Sequence, residues 1–177
     1  MKNLAIVLFV SLLIVSCKNN EQFRAPIDAL AADWEKSTGN VAEIGNLISG
    51  LQSNLTSMKD SFVVDPKLKL TPTATATIDS LKNTYMASLN NVEGLTKGYS
   101  EFSTKWTDLT SKMNSLKEGL AANKLEGDVM AQINELKNSV AEATTMTEGY
   151  KSKLEMIRAN SMSVYQSFKA ALMPAKK

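Results

Sequence analysis

The chain carries few of the side chains that usually perform catalysis. It has 177 residues, no histidine and a single cysteine, Cys17. Without histidine there is no Ser-His-Asp or Cys-His nucleophile, no histidine-ligated zinc and no general base that titrates near neutral pH. The eight glycines are scattered, so the sequence lacks a glycine-rich phosphate loop and a dinucleotide-binding motif. These residue types predict a protein that is not an enzyme and that uses no cofactor or metal.

Methionine could bind copper, because thioethers suit Cu(I). The chain has nine methionines, but Met146, Met156 and Met162 do not form a tight M-x-x-M cluster. Met58 and Met113 lie at apolar positions of a helical repeat. The pattern favours methionines that fill gaps in a core or at its flank.

Cys17 ends an N-terminal segment that has the pattern of a secretory signal peptide. Met1-Lys2-Asn3 precedes two apolar runs, Leu4 to Val10 and Leu12 to Val15, and the small Ser16 stands directly before the cysteine. The apolar part spans about 12 residues, whereas a membrane-spanning helix needs about 20. A cleaved signal is therefore favoured over a transmembrane helix.

The end of this segment, Ile14-Val15-Ser16-Cys17, resembles the lipobox of bacterial lipoproteins, which has an aliphatic residue at −3, a small residue at −1 and an obligatory cysteine. The resemblance implies that residues 1–16 are removed and that Cys17 is the lipidation site, carrying acyl chains such as palmitate. It places the protein in the bacterial cell envelope. Lys18 is not the aspartate that resembles an inner-membrane retention signal, which favours the outer membrane. Whether the protein faces the periplasm or the cell surface stays open.

Composition limits the remaining part to one domain of nearly balanced charge. Removal of residues 1–16 from the 177 leaves 161, enough for a single core. Lys and Arg total 20 and Asp and Glu total 18, so no large field favours nucleic acid as a partner. One cysteine cannot form an intramolecular disulfide, and stability must come from packing.

Three segments repeat apolar residues at alternating spacings of three and four. These 37 positions, the heptad seam, are Ile27, Leu30, Trp34, Ser37, Val41, Ile44, Ile48, Leu51, Leu55, Met58 and Phe62; Ile78, Leu81, Tyr85, Ser88, Val92, Leu95, Tyr99, Phe102, Trp106, Leu109, Met113, Leu116 and Leu120; and Val129, Ile133, Leu136, Val140, Ala143, Thr147, Tyr150, Leu154, Ile157, Ser161, Val164, Phe168 and Ala171. Of the 37, 33 are apolar, against roughly 16 expected by chance from the chain's composition. The unbroken 3.5 period predicts coiled-coil-like packing.

Helix-breaking residues separate the three segments. Asp65-Pro66 ends the first, and Thr71-Pro72 opens the second with Thr71 as N-cap and proline at the first helical position. The span 123–128, with Gly127 inside it, separates the second from the third.

The resulting helices have about 38, 50 and 45 residues, or roughly 55–75 Å each. Short connections between long helices force antiparallel neighbours. The predicted fold is therefore all-α, an elongated antiparallel three-helix bundle over residues 27–173. A flexible tether at 17–26 precedes it, and a basic tail at 174–177 follows it.

Antiparallel pairing about turns near residues 68 and 125 predicts which residues share a layer. Ser88 is expected level with Ser161, and Trp34 near Phe102, with Trp106 one turn away. A polar pair inside the seam can fix the register. Serine and threonine can instead bond to carbonyls of their own helix, and the sequence leaves both explanations open.

Two further patterns each have two interpretations. The aromatic residues Trp34, Tyr99, Phe102, Trp106 and Tyr150 could line a ligand pocket, but seam spacing favours core packing. Glycines inside the helices could mark hinges or close helix approach, or could simply be tolerated at about 1 kcal/mol each relative to alanine. These glycines are Gly39, Gly45, Gly50, Gly94, Gly98, Gly119 and Gly149.

The same pairing places the first turn and the C-terminus at the end away from the lipid. Lys67, Lys69, Lys176 and Lys177 make this tip mildly basic, and it is the predicted partner-binding surface. Solvation of ordinary helix ends would look the same.

The sequence thus predicts a non-enzymatic, lipid-anchored helical lipoprotein of the envelope that acts as a spacer or protein-interaction module. Its partners would be the membrane, through the anchor, and another protein or a second copy of the chain. The alternative is a carrier for an apolar ligand held between the helices. An exposed apolar stripe at Leu47, Leu89 and Leu172 would favour partner binding, and a closed cavity beside Trp106 would favour the carrier.

Overall fold

The computed structural model describes residues 20–173, which form three long helices. They are α1 (Glu21–Lys59), α2 (Pro72–Ala121) and α3 (Val129–Ala171). Every pair of these helices packs together, which confirms the prediction of an all-α three-helix bundle. Within the same residues, no helix combines the length and the apolar character needed to cross a membrane.

The heptad seam is the core of this bundle. In residues 20–173, all 25 buried apolar side chains are seam residues. The four buried polar side chains are the four polar members of the seam, Ser37, Ser88, Thr147 and Ser161. No seam residue is exposed. Because full burial of a large apolar side chain contributes about 1.5–3 kcal/mol, the seam accounts for why these three segments pack as helices.

Capping residues set the starts of α2 and α3. Thr71 is the N-cap of α2, as predicted: its Oγ1 accepts a hydrogen bond from the Ala74 N–H at 3.2 Å, and Pro72 is the first helical residue. Asp128 has the same role for α3, where its Oδ1 accepts from the Ala131 N–H at 3.0 Å. Gly127, directly before this cap, has a φ of +71°, a conformation that glycine adopts without a Cβ penalty.

The start of α1 corrects the sequence prediction. The helix begins at Glu21, so a flexible tether that reaches residue 26 is wrong for residues 21–26. The Arg24 guanidinium donates to both carboxylate oxygens of Glu21, at 2.9 and 3.1 Å, and lowers the pKa of that carboxyl. Pro26 lies inside the helix, where it lacks the N–H of an i→i−4 hydrogen bond and its ring crowds the carbonyl four residues earlier. Heptad spacing locates a buried seam, and it cannot detect helical turns that extend beyond it.

The end of α1 also differs from the sequence pattern. The helix stops at Lys59, yet Phe62 is still buried. Its ring lies 4.3 Å from the ring of Tyr85, 4.6 Å from Phe168 and 5.4 Å from Tyr165, measured between centroids. Phe62 therefore completes the core from the loop that follows the helix.

Contacts divide the chain into two compact units. Within the described residues, the first comprises 20–40 together with Ser103–Thr145, and the second comprises Val41–Phe102 together with 146–173. Each unit contains its own segments of α1, α2 and α3.

Candidate functional sites

The predicted basic tip is only partly within the described residues. Lys67 and Lys69 are exposed in the loop between α1 and α2. Asp65 shapes this loop, since its carboxylate accepts from the Lys67 N–H at 2.8 Å and its carbonyl accepts from the Leu68 N–H at 2.9 Å. Apolar side chains are exposed here as well, Val63 at 68% and Leu68 at 37%. The loop therefore presents two lysines beside apolar surface.

Three of the predicted site residues lie outside the described residues. Cys17, the predicted lipidation site, precedes residue 20, and Lys176 and Lys177 follow residue 173. Their roles remain predictions from the sequence.

In the first unit, the two tryptophans form a stacked pair. The rings of Trp34 and Trp106 lie 4.1 Å apart with an interplanar angle of 8°. The Trp34 indole N–H donates to Thr110 Oγ1 at 3.0 Å, and the Trp106 indole N–H donates to Thr38 Oγ1 at 3.1 Å. Each threonine in turn donates to the backbone carbonyl of the tryptophan on its own helix. The result is a reciprocal pair of Trp-x-x-x-Thr segments that ties α1 to α2.

This pair decides between the two interpretations of the tryptophans. One ring covers a face of the other, and both indole N–H groups are satisfied within the protein. A satisfied, stacked pair is what core packing requires. The structure therefore favours a packing role for Trp34 and Trp106 over a ligand pocket.

In the second unit, tyrosine hydroxyls fix α2 against α1. Tyr99 donates to the Val41 carbonyl at 2.9 Å, and Tyr85 donates to the Leu55 carbonyl at 2.5 Å. The Tyr85 hydroxyl reaches three residues beyond Gln52, its predicted neighbour in the layer, because helical side chains lean toward the N-terminus of their helix.

Two of the helical glycines of the second unit mark close contacts with tyrosines. A Cβ on Gly45 would lie 2.6 Å from the Tyr99 hydroxyl oxygen, and one on Gly98 would lie 3.1 Å from that of Tyr150. The ring of Tyr150 also contacts those of Tyr99 and Phe102, at 6.2 and 6.4 Å between centroids. Close helix approach is therefore correct for these glycines.

The other five helical glycines include one with close contacts and four in open space. In the first unit, a Cβ on Gly119 would meet a backbone oxygen at 3.2 Å. A Cβ at any of the remaining four would meet nothing within 4 Å, which agrees with glycines that are simply tolerated in a helix. These four are Gly39, Gly50, Gly94 and Gly149.

Ser88 and Ser161, the predicted polar layer of the second unit, are differently satisfied. Ser88 Oγ accepts from the Asn160 amide at 3.4 Å and donates to the Thr84 carbonyl at 3.4 Å. Ser161 is fully buried, and its hydroxyl has no hydrogen-bond partner. Bonding to carbonyls of the same helix therefore explains Ser88 but not Ser161.

A groove between α1 and α3 lies in the second unit. It has a volume of about 560 Å³. Its lining residues are Glu43, Asn46, Leu47, Gly50, Leu51, Asn54, Lys151, Leu154, Glu155 and Arg158. Leu47 is 43% exposed, whereas Leu51 and Leu154 are buried at its base. Lys151 and Glu43 form an ion pair at 2.9 Å.

Most methionines do not fill the core. Met113 is fully buried, but six methionines are between 39% and 70% exposed. They are Met86, Met130, Met146, Met156, Met162 and Met173. Gap-filling in the core is therefore correct for Met113, whereas these six lie off the heptad seam, outside the core. In residues 20–173, no three or more histidine, cysteine, aspartate or glutamate side chains come together in a way that could hold a metal ion.

Comparison with known proteins adds no assignment. No protein-family model, no curated protein and no solved structure matches this chain. Function must therefore be argued from the residues themselves.

The heptad pattern predicts neither the threonine partners of the tryptophans nor the groove. Thr38 and Thr110 lie off the seam, yet the repeated Trp-x-x-x-Thr spacing was a visible signal. The groove depends on Gly50 and Leu47. Gly50 could not be distinguished from the other helical glycines without knowing which side chains face it.

Proposed function

We propose that this protein is a lipid-anchored, non-enzymatic helical bundle of the bacterial envelope that binds a protein partner through the loop between α1 and α2. The observation that carries the proposal is the junction between Cys17 and the bundle. A signal-like segment ends at the only cysteine of the chain, and α1 begins four residues later, at Glu21. Four residues span at most about 14 Å, so a lipid on Cys17 would hold the start of α1 close to the membrane surface.

The anchor is tested with the variant Cys17→Ser. The unchanged protein is expected in the detergent phase on phase partitioning, with an intact mass that includes the acyl groups. The variant should lose that mass and leave the membrane fraction. A variant that is still processed and stays membrane-bound would contradict the anchor.

The exposed residues of the loop between α1 and α2 support a role in contacting a partner. Lys67 and Lys69 are exposed, as are Val63 and Leu68, and apolar surface flanked by charge is a common feature of binding sites. The two lysines would favour an acidic partner, with an attraction that physiological salt screens beyond about 8 Å.

Crosslinking in intact cells, followed by identification of the captured protein, tests this surface. The double change Lys67→Glu and Lys69→Glu should weaken capture without changing helicity. Lys117→Glu with Lys137→Glu makes the same change of charge at exposed lysines of the first unit and should leave capture intact. Capture that survives removal of the loop, or that maps to a helix face, would instead indicate a lateral assembly subunit.

A second candidate function is a carrier for an apolar ligand, and the groove between α1 and α3 favours it. Its volume of about 560 Å³ lies in the range of 300–1,000 Å³ that is typical of small-molecule sites. The interior beside Trp106 gives the carrier no such support, because Trp34 covers that ring.

A further inference from the structure

The groove between α1 and α3 has an apolar base that is partly open to solvent. Leu47 is 43% exposed, and Leu51 and Leu154 lie buried beneath it. Gly50 leaves the space open, because a Cβ at this position would meet no atom within 4 Å. A hydrocarbon chain lying on these leucines would remove apolar surface from water at about 25 cal/mol per Å².

The rim of the groove carries one cation without a partner. Lys151 is paired with Glu43 at 2.9 Å. Arg158 has no carboxylate within 4.0 Å among the residues that the structure describes. Its guanidinium offers five N–H donors in a planar fork that matches a carboxylate or phosphate. Asn54 also lines the groove and adds an amide donor.

Two carboxylates line the groove, and within residues 20–173 only Glu43 is paired with a cation, so Glu155 is the rim group that most opposes an anion. It lies three residues before Arg158 on α3, and both line the groove. A head group with only a negative charge would meet Arg158 and avoid Glu155. A head group with an added ammonium could use both.

We propose that this groove binds a single-chain amphiphile, with its apolar chain on Leu47, Leu51 and Leu154 and its anionic group at Arg158. The proposal rests on the carrier function and specifies its ligand class. A free fatty acid and a single-chain phospholipid share this chemistry. The ligand proposed for the groove is distinct from the lipid proposed for Cys17, because every residue that lines the groove belongs to the second unit.

The test uses the chain from residue 17 onward with Cys17→Ser, which retains all three helices and the whole described core. Calorimetric titration measures the dissociation constants of decanoate and of the chain-matched neutral decanol, both below the concentration at which they aggregate. Decanoate should bind saturably and more tightly than decanol. A single-chain phosphoethanolamine lipid is added to the set in order to distinguish a phospholipid from a free fatty acid. Its ammonium should improve binding to the unchanged chain but not to a chain that lacks the Glu155 carboxylate.

Two variants test the placement. Gly50→Leu fills the groove and should weaken decanoate at least about tenfold, or about 1.4 kcal/mol. Gly39→Leu is the matched control, since Gly39 is also an α1 glycine with open space around its Cβ and does not line the groove. Arg158→Gln should weaken decanoate and leave decanol unchanged. Leu47→Gln is a second test of the base at a position exposed enough to accept a polar side chain.

Each result bears on a distinct claim. If decanol binds as tightly as decanoate and Arg158→Gln changes neither, the carrier function stands and the head-group assignment is overturned. If neither compound binds saturably, or if both Gly50→Leu and Leu47→Gln bind decanoate like the unchanged chain, the groove is not the site and the carrier function loses its support.

Discussion

Replacing Trp106 tests the stacked pair and the seam together. Trp106 is 4% exposed, and large-to-small changes at buried aromatic positions cost about 3–5 kcal/mol. Part of that cost can be assigned to particular contacts. The stacking with Trp34 accounts for about 0.5–1.5 kcal/mol, the hydrogen bond to Thr38 accounts for about 0.5–1.5 kcal/mol, and lost burial and the resulting cavity account for the rest. Trp106→Ala should therefore lower the free energy of unfolding by about 3–5 kcal/mol.

The contributions are separable with a milder change. Trp106→Phe keeps an aromatic ring against Trp34 and removes only the N–H donor and part of the ring area. Because Thr38 is exposed, water can replace the lost donor, and the cost should be clearly smaller than for alanine. Asp108→Ala is the control, an exposed position on the same helix where a change within about 0.5 kcal/mol is expected.

The assay is urea unfolding followed by far-ultraviolet circular dichroism. A double-mutant cycle with Trp34→Ala and Trp106→Ala measures the coupling between the rings, because each change removes a ring. Near-ultraviolet circular dichroism provides a second signal, because stacked indoles give a coupled band that either variant should abolish. An unchanged unfolding midpoint in Trp106→Ala, or additivity of the two alanine variants within about 0.3 kcal/mol, would refute the geometry described for this pair.

Three further predictions concern the second unit. Ser161→Ala removes a buried hydroxyl without a partner and should raise the free energy of unfolding by about 1–3 kcal/mol. Ser88→Ala should not raise it, because this change loses existing hydrogen bonds. Equal effects of the two changes in thermal melts would contradict this prediction. Gly50→Ala should stabilise by about 0.5–1 kcal/mol, but Gly45→Ala should destabilise by about 1–3 kcal/mol, because its Cβ would displace the Tyr99 hydroxyl; the same sign for both would show that the contact is absent. Burial raises the pKa of Tyr85 above its ordinary 10.0, and burial, with a smaller effect of Glu101, raises that of Tyr150. The folded state holds these protons more tightly, so the stabilisation is complete below that ordinary value and is lost as the pH rises through the raised pKa. Melting temperatures should fall at alkaline pH, and less steeply in Tyr85→Phe.

The repeat of apolar residues predicted most of the fold because burial is what selects the helix faces. Every buried side chain of residues 20–173 was on the predicted seam, and Thr71 capped α2 as its hydroxyl and the following proline required. The start of α1 was missed because residues 21–26 are helical without contributing to the seam.

The candidate sites were harder to predict, for a physical reason. A groove forms where a residue has no side chain and its neighbours leave the space unfilled. Neither property produces a periodic pattern in the sequence. Leu47 was recognised as an apolar residue off the seam, but its position beside Gly50 and Arg158 depends on how α1 and α3 pack. The basic loop was predictable because charge and helix breakers are read directly from residue types.

The distribution of aromatic residues between the two units gives the chain built-in optical probes. Both tryptophans, Trp34 and Trp106, belong to the first unit, and all four tyrosines belong to the second. Indole fluorescence therefore reports on the first unit alone, and tyrosine absorbance reports on the second, without any label or engineered residue. A single melt followed with both signals measures how cooperatively the two units unfold, since coincident transitions are the signature of one cooperative structure.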